Sequence, residues 1–335
     1  MNSIKCFDHY QTLRNQHDLA QPFSVVGIGN FDGIHRGHQV LVQSVVNEAE
    51  KKGYVPSILT FAPHPLRFFK GDAGPRMIYL PQDKRSLMGM LGIKRILQQR
   101  FEQNFAQLSP AEFVEDVLYD AMRARCVVVG YDFAFGAGRS GTVQELERQC
   151  IQRGISIEVI RPQGGERTPF SSSMIRNLLG EGEVHQAREL MGRPYHLRGI
   201  VTQGYQRGRA LGFPTANLKL MSELCPAPGV YAGWLGWTDQ SAPAVISIGG
   251  NPTFGQDHKL ASEQQWSVEV HALGYPHGDL NLYDHEVVVW FHSRLRDVIR
   301  FPNVNALIDQ IREDVVSTER SLAAASTPSW PRHER

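Results

Sequence analysis

The run Phe23-Ser24-Val25-Val26-Gly27-Ile28, continued by Gly29-Asn30-Phe31-Asp32-Gly33-Ile34-His35-Arg36-Gly37-His38, constrains this 335-residue chain more than any other stretch. Its first part reads as a mostly apolar buried strand. Beyond the glycines, Leu41, Val42, Val45, Val46 and Ala49 return at helical spacing, so the turn opens a helix. The unpaired N–H groups of that first helical turn point at whatever sits above the strand end, a position that favours an anion. His35 and His38, three residues apart around Gly37, can both lean toward one phosphate, where a protonated imidazole stabilises charge building on phosphorus. Glycine in the turn lets a ligand approach the backbone. Two histidines at this spacing also suit a metal, but no cysteine or carboxylate pair nearby completes a zinc set.

From residue 23 to about 160, apolar runs alternate with helical patterns, the signature of an α/β domain with a parallel sheet and crossover helices. The other strands are expected at Tyr54 to Phe61, Lys94 to Leu97, Arg125 to Gly130 and Ile155 to Ile160. Open sheets of this kind bind ligands outside the carboxyl ends of their strands. Three polar clusters fall there: the glycine turn, Pro63-His64-Pro65, and Gly130-Tyr131-Asp132-Phe133-Ala134-Phe135-Gly136, which leads into Arg139-Ser140-Gly141. Further on, Ser171-Ser172-Ser173-Met174-Ile175-Arg176 precedes a helical stretch. A serine there is an ordinary helix cap beside a surface arginine, or the hydroxyls and the Arg176 fork hold triphosphate oxygens; local sequence leaves both open.

A helix over Val184 to Met191 and the turn Gly192-Arg193-Pro194 connect two domains, expected at 1–185 and 186–322, with 323–335 as a flexible tail. Short strand-like runs at Tyr195 to Thr202, Pro214 to Leu220, Val230 to Leu235, Ala244 to Ile248, Ser267 to Leu273 and Glu286 to Phe291 suggest a small antiparallel barrel. Val304, Leu307, Ile308, Ile311 and Val315 mark an amphipathic helix that closes it. Within this half, the stretch from Gly204 to Asn217 is a second phosphate-loop candidate, with Gly204, Gly208, Arg209, Gly212 and Pro214 but no Walker lysine. In an extended segment Thr215 and Asn217 share a face and offer hard oxygen ligands, a setting for Mg²⁺ that bridges nucleotide phosphates and keeps several waters. Without that pair the stretch reads as an ordinary loop. In the strand Trp266 to His271, apolar residues alternate with Ser267, Glu269 and His271. That face is either simply solvated, or Glu269 is a general base for an alcohol attacking a γ-phosphoryl group.

Lys plus Arg total 35 against 34 for Asp plus Glu, a formal charge of +1 that gives no field for gathering nucleic acid or anionic membrane. Cys6, Cys126, Cys150 and Cys225 are scattered without a Cys-x-x-Cys pair, which argues against a metal knuckle or a disulfide framework. Met1 to Ala20 is polar, and no later run approaches membrane-spanning length. The expectation is a soluble cytoplasmic protein whose partners are small molecules; nothing in the sequence fixes an oligomeric state.

Taken together, these motifs resemble the prokaryotic bifunctional riboflavin kinase/FMN adenylyltransferase family, also called FAD synthetase, from about residue 23 to 320. Besides those above, Gly229-Val230-Tyr231-Ala232, Asn251-Pro252-Thr253-Phe254 and Val268-Glu269-Val270-His271 carry the likeness. The resemblance implies an α/β protein: a Rossmann-like nucleotidyltransferase domain, then a riboflavin kinase antiparallel β-barrel with a closing helix. It implies that His35 and His38 contact ATP phosphates, that Gly29, Asn30, Phe31, Asp32 and Gly33 form the same pocket, and that Ser171, Ser172, Ser173 and Arg176 close on the triphosphate. Asp132 and Phe133 would lie near the flavin, and Pro63 and His64 at the neighbouring strand end would be among the cofactor-binding residues. In the barrel, Thr215 and Asn217 would hold Mg²⁺ and ATP, and Glu269 would activate the ribityl 5′-hydroxyl. Riboflavin would become FMN, and FMN would become FAD with release of pyrophosphate.

Several positions depart from the family pattern. Ser173 replaces a threonine, Gly274-Tyr275 replaces an Asp-Phe pair, and the longer turn Gly278 to Asp284 ends in aspartate where glycine is usual. Asp284 is expected to keep its backbone out of conformations that only glycine tolerates well. A monofunctional adenylyltransferase, a non-catalytic flavin-binding regulator and a cytidylyltransferase are the competing readings.

Overall fold

Six parallel strands form a sheet in the order β1-β4-β3-β2-β5-β6. They are β1 (Lys5–Phe7), β2 (Ser24–Ile28), β3 (Val55–Ala62), β4 (Arg95–Arg100), β5 (Ala124–Gly130) and β6 (Ser156–Ile160). The computed structural model describes residues 4–15, 22–161, 170–203, 208, 211–250, 266–275 and 280–328. It divides into two units, one from Met1–Arg76 with Pro81–Ser171, the other from Met77–Leu80 with Ser172–Trp330.

The first unit also holds α1 (Tyr10–Asn15), α2 (Arg36–Lys52), α3 (Pro65–Lys70), α4 (Pro81–Met90), α5 (Gln103–Ala106), α6 (Pro110–Glu112), a π-helix over Phe113–Ala121, and α7 (Val143–Ile151). Apolar residues of β2, β4 and β5 pack against Leu13 of α1 and Val117, Leu118 and Ala121 of the π-helix. On the other face, a Cβ at Gly27 would lie 2.8 Å from Val45 and 2.9 Å from Leu41, so glycine lets α2 settle directly onto β2. That contact aims the amino end of α2 over the carboxyl end of its own strand. The strand order reverses between β2 and β5, where open α/β sheets leave a crevice for ligands. Strand β1 was not expected from the sequence. Its three residues are too few to show alternation, and parallel pairing with β4 at the sheet edge holds it.

The second unit holds β7 (Tyr195–Thr202), β8 (Ala216–Leu220), β9 (Gly229–Trp237), β10 (Gln240–Gly250), β11 (Trp266–Ala272) and β12 (Glu286–Arg296), closed into an antiparallel barrel in the order β10-β11-β8-β7-β12-β9. Helices α8 (Ser172–Glu181), α9 (Val184–Met191) and α10 (Val304–Leu322) accompany it. Val201, Leu218, Val268 and Ile248 stand side by side across four strands and are all buried, one layer of the barrel core.

Helix α10 packs over β9, β10 and β12, but its stripe differs from the expected one. Val304 is 56% exposed, and the buried residues are Asp314, Thr318 and Leu322. Asp314 takes a central place because Arg296 of β12 grips its carboxylate through two hydrogen bonds of 2.9 and 2.7 Å. Asp284 also corrects the expectation: it adopts φ +63°, in the left-handed region. Its N–H donates to Val201 O at 2.9 Å and Val201 N–H donates to His285 O at 3.0 Å, so ladder bonds fix a conformation that aspartate tolerates better than most residues.

Candidate active sites

The carboxyl edge of the parallel sheet gathers the glycine turn after β2, Pro63 and His64 after β3, and Asp132 and Phe133 after β5. In the first of these, Phe31, Gly33 and Ile34 have φ of +50°, +78° and +39°, and both apolar side chains are fully buried. The loop is thus held in an unusual shape by its own side chains. His35 caps α2, its Nδ1 accepting the His38 N–H at 3.3 Å, which leaves the proton of a neutral His35 on Nε2. The His35 and His38 rings stack with centroids 3.7 Å apart, and Phe31 lies 5.3 Å from the His38 ring. Two imidazoles and the first N–H groups of α2 therefore sit together at one helix end.

Beneath this turn lies Lys84 of α4, which the sequence reading did not single out. Its Nζ donates to Asn30 O at 2.8 Å and to Thr60 Oγ1 at 3.3 Å, and the Thr60 hydroxyl donates to Asn30 O at 3.2 Å. Burial pushes the Lys84 ammonium down to about 8, partly opposed by the charge of Asp32, itself buried. A signal was present. Lys84 precedes Leu87 and Met88 by three and four residues, on the face of α4 that helical spacing reserves for apolar side chains.

After β3, His64 caps α3 by accepting the Leu66 N–H on Nδ1 at 3.1 Å. After β5, the Phe133 N–H donates to Gly130 O, Phe133 stacks on Phe135 at 5.6 Å, and Asp132 is exposed. Ser171 belongs to the first unit, whereas Ser172, Ser173 and Arg176 lie at the start of α8 in the second.

On the barrel, Glu269 of β11 stands directly opposite Asn217 of β8, and the Thr215 hydroxyl donates to Glu269 Oε2 at 3.4 Å. Three residues expected to act together thus meet from β11, from β8 and from the residue just ahead of β8. His271 Nδ1 donates to Pro214 O at 2.8 Å, and burial lowers the His271 pKa, so the ring is neutral and pins the chain just ahead of Thr215. A Cβ at Gly208 would lie 2.4 Å from Phe213 O, and the Phe213 N–H donates to Gly208 O at 2.8 Å, a closure that only glycine permits. Gly212 has φ +85°. Gly204 and Arg209 lie outside the described residues. No cluster of three or more His, Cys, Asp and Glu side chains suited to a metal occurs among the described residues. The donors beside Glu269 are a hydroxyl and an amide oxygen, a sparse hard-oxygen set of the kind that takes Mg²⁺ together with phosphates and water.

Comparison with known proteins follows the same division. Residues 18–174 match the FAD synthetase family and residues 191–322 match the riboflavin kinase family. A bifunctional riboflavin kinase/FMN adenylyltransferase of Pseudomonas fluorescens is 35% identical over 318 residues, 94% of this chain and 99% of that protein. One from Escherichia coli K12 is 33% identical over 323 residues, 95% of this chain and 99% of that protein. A solved structure from Streptococcus pneumoniae, described as a macrolide-efflux protein, has a TM-score of 0.83 at 28% identity and covers 95% of this chain and 99% of that one. The efflux description belongs to that protein; among the described residues here, no helix is long and apolar enough to cross a membrane. The chain belongs to the bifunctional riboflavin kinase/FMN adenylyltransferase family, with a FAD synthetase domain followed by a riboflavin kinase domain.

Proposed function

We propose that the two activities run through the two sites described above, with residues 186–322 phosphorylating riboflavin and residues 1–185 adenylylating the FMN so formed. The observation that carries this reading is the meeting of Thr215, Asn217 and Glu269 on the barrel wall, because a sheet domain alone would depend on FMN made elsewhere.

In the kinase site, Glu269 takes the proton of the ribityl 5′-hydroxyl as that oxygen bonds to the γ-phosphorus of ATP and the bond to ADP breaks. Gly204, Gly208, Arg209, Gly212 and Pro214 shape the loop around the nucleotide. Thr215 and Asn217 would hold Mg²⁺, which when bound neutralises charge on the phosphates. The His271 ring fixes Pro214 and hence the placement of Thr215.

In the adenylyltransferase site, an FMN phosphate oxygen bonds to the α-phosphorus of ATP and pyrophosphate leaves. The nucleophile is already an anion, so no general base is required. His35, His38 and the amino end of α2 stabilise the charge that grows on the phosphates. Gly29, Asn30, Phe31, Asp32 and Gly33 line the nucleotide pocket, Lys84 anchors that turn from below, and Ser171, Ser172, Ser173 and Arg176 hold triphosphate oxygens. Asp132, Phe133, Pro63 and His64 flank the flavin. Small molecules are the partners in this reading, in a cytoplasmic setting, with no part for nucleic acid or membrane.

Incubation with riboflavin, ATP and Mg²⁺, followed by chromatography, is expected to yield FMN and then FAD. His38→Ala should stop FAD formation while FMN accumulates. Glu269→Gln should stop FMN formation yet still convert supplied FMN to FAD. Product patterns that do not separate in this way would reject the assignment of roles.

A further inference from the structure

The barrel wall beside Glu269 carries two hydroxyls that the mechanism leaves unused. Ser247 of β10 stands directly opposite Glu269, and the next pair along the same two strands and the same face is Gly249 with Ser267. Opposed residues share a face, as do residues two apart, so Ser247, Gly249, Ser267 and Glu269 form a rectangle on one side of the wall. That side is the outer one. The alternating neighbours Val268 and Ile248 are buried in the barrel core, whereas Ser247, Glu269 and Ser267 are half-buried. Cross-strand partners of this kind have Cβ atoms about 5 Å apart and diagonal ones about 7–8 Å apart. Among the described residues no hydrogen bond occupies the hydroxyl of Ser247 or Ser267. The fourth corner is empty: a Cβ built on Gly249 meets no atom of the described residues within 4 Å.

The opposite flank of Glu269 is taken by Asn217 and Thr215. If the phosphates lie on that flank, the rest of the attacking alcohol runs the other way, over Ser247, Gly249 and Ser267. We propose that these three residues form a polyol subsite, in which Ser247 and Ser267 bind the ribityl hydroxyls next to the reacting one and select a polyhydroxylated side chain. The inference rests on Glu269 as the base of the kinase site. The glycine supplies the room, and the serines supply donors and acceptors that a plain alkyl alcohol cannot satisfy.

The test starts from FMN formation by the unaltered protein. Absence of FMN there would sink the kinase reading itself, separately from the subsite. With turnover in hand, Ser247→Ala, Ser267→Ala and the double variant are compared on riboflavin and on flavins lacking the 3′- or the 4′-hydroxyl. A neutral hydrogen bond is worth a factor of about 3–10, so each single variant should raise KM for riboflavin by about that factor, and the double variant by roughly the product. kcat should stay within about twofold, and the analogue lacking the matching hydroxyl should be used equally by variant and unaltered enzyme. An unchanged KM, or a loss of the same size on riboflavin and on the analogue, would overturn the subsite. If a variant fails to fold, the unaltered enzyme decides alone: it must disfavour a deoxyribityl flavin by about the same factor, and indifference to the missing hydroxyl overturns the proposal.

Discussion

Replacing Lys84 by methionine separates a charge that serves the chemistry from one that merely fills the fold. The ammonium bonds Asn30 O at 2.8 Å and Thr60 Oγ1 at 3.3 Å, and so anchors the turn that carries His35 and His38. Hydrogen bonds from a charged donor contribute about 1.5–3 kcal/mol. If the turn loses that much of its preorganisation, kcat/KM for FMN adenylylation falls by about 10- to 100-fold. FMN formation from riboflavin, which uses the other unit, is the internal reference. Stability responds differently. Burial holds Lys84 at about 8 instead of 10.5, so keeping it charged costs the fold about 3 kcal/mol at neutral pH. Methionine removes that cost, and the Asn30 carbonyl and the Thr60 hydroxyl keep the 3.2 Å hydrogen bond between them, so near pH 7 the variant should unfold at a denaturant concentration no lower than that of the unaltered protein. Between about pH 8 and 10.5 the unfolded chain still carries a proton that the folded lysine has released. Stability contributed at this position therefore rises with pH across that window, and the methionine variant lacks the rise. Denaturant unfolding at pH 7.5 and 10, with FAD and FMN assays alongside, measures both effects. The reasoning fails if FAD synthesis is unchanged, if it falls in step with FMN formation, or if no pH-dependent gap opens between the two proteins.

Two further substitutions test the barrel. A Cβ at Gly233 would lie 1.9 Å from the Trp290 carbonyl oxygen, across the seam between β9 and β12; backbone cannot yield there, so Gly233→Ala should cost at least about 3 kcal/mol and the kinase activity, read from the denaturant midpoint and FMN yield. His271 is kept neutral by burial, so as pH falls from about 7 toward 5 the unfolded chain takes a proton that the folded ring resists, and the protein loses stability. His271→Gln can still donate to Pro214 O and should lose less over the same range; equal losses in the two proteins would remove His271 from the acid response.

What the sequence made legible was chemistry confined to a few consecutive residues. A strand, a glycine turn and a capped helix fit within residues 24–52, so His35 and His38 stand out as candidates without reference to the rest of the chain. Thr215 and Asn217 do so because two-residue spacing alone puts them on one face. The barrel strands were legible because alternation or a continuous apolar run survives in each, whereas the three residues of β1 hold no period to read. Lys84 was not legible as part of a site, since its meaning depends on a carbonyl 54 residues away. Asp314 broke the apolar stripe of α10 for a similar reason: its partner, Arg296, comes from a different element. Asp284 shows the limit of a residue-by-residue rule, because ladder bonds to Val201 and His285 outweigh a modest backbone preference. Register is the deepest of these gaps. The placement of Ser247 opposite Glu269 depends on where the β10–β11 pairing settles, and a slip of one residue would turn every polar side chain of that face into the core. The barrel excludes that slip by burying Ile248, Val268 and Leu218 together, so the same apolar contacts that stabilise the wall also fix which hydroxyls stand beside Glu269.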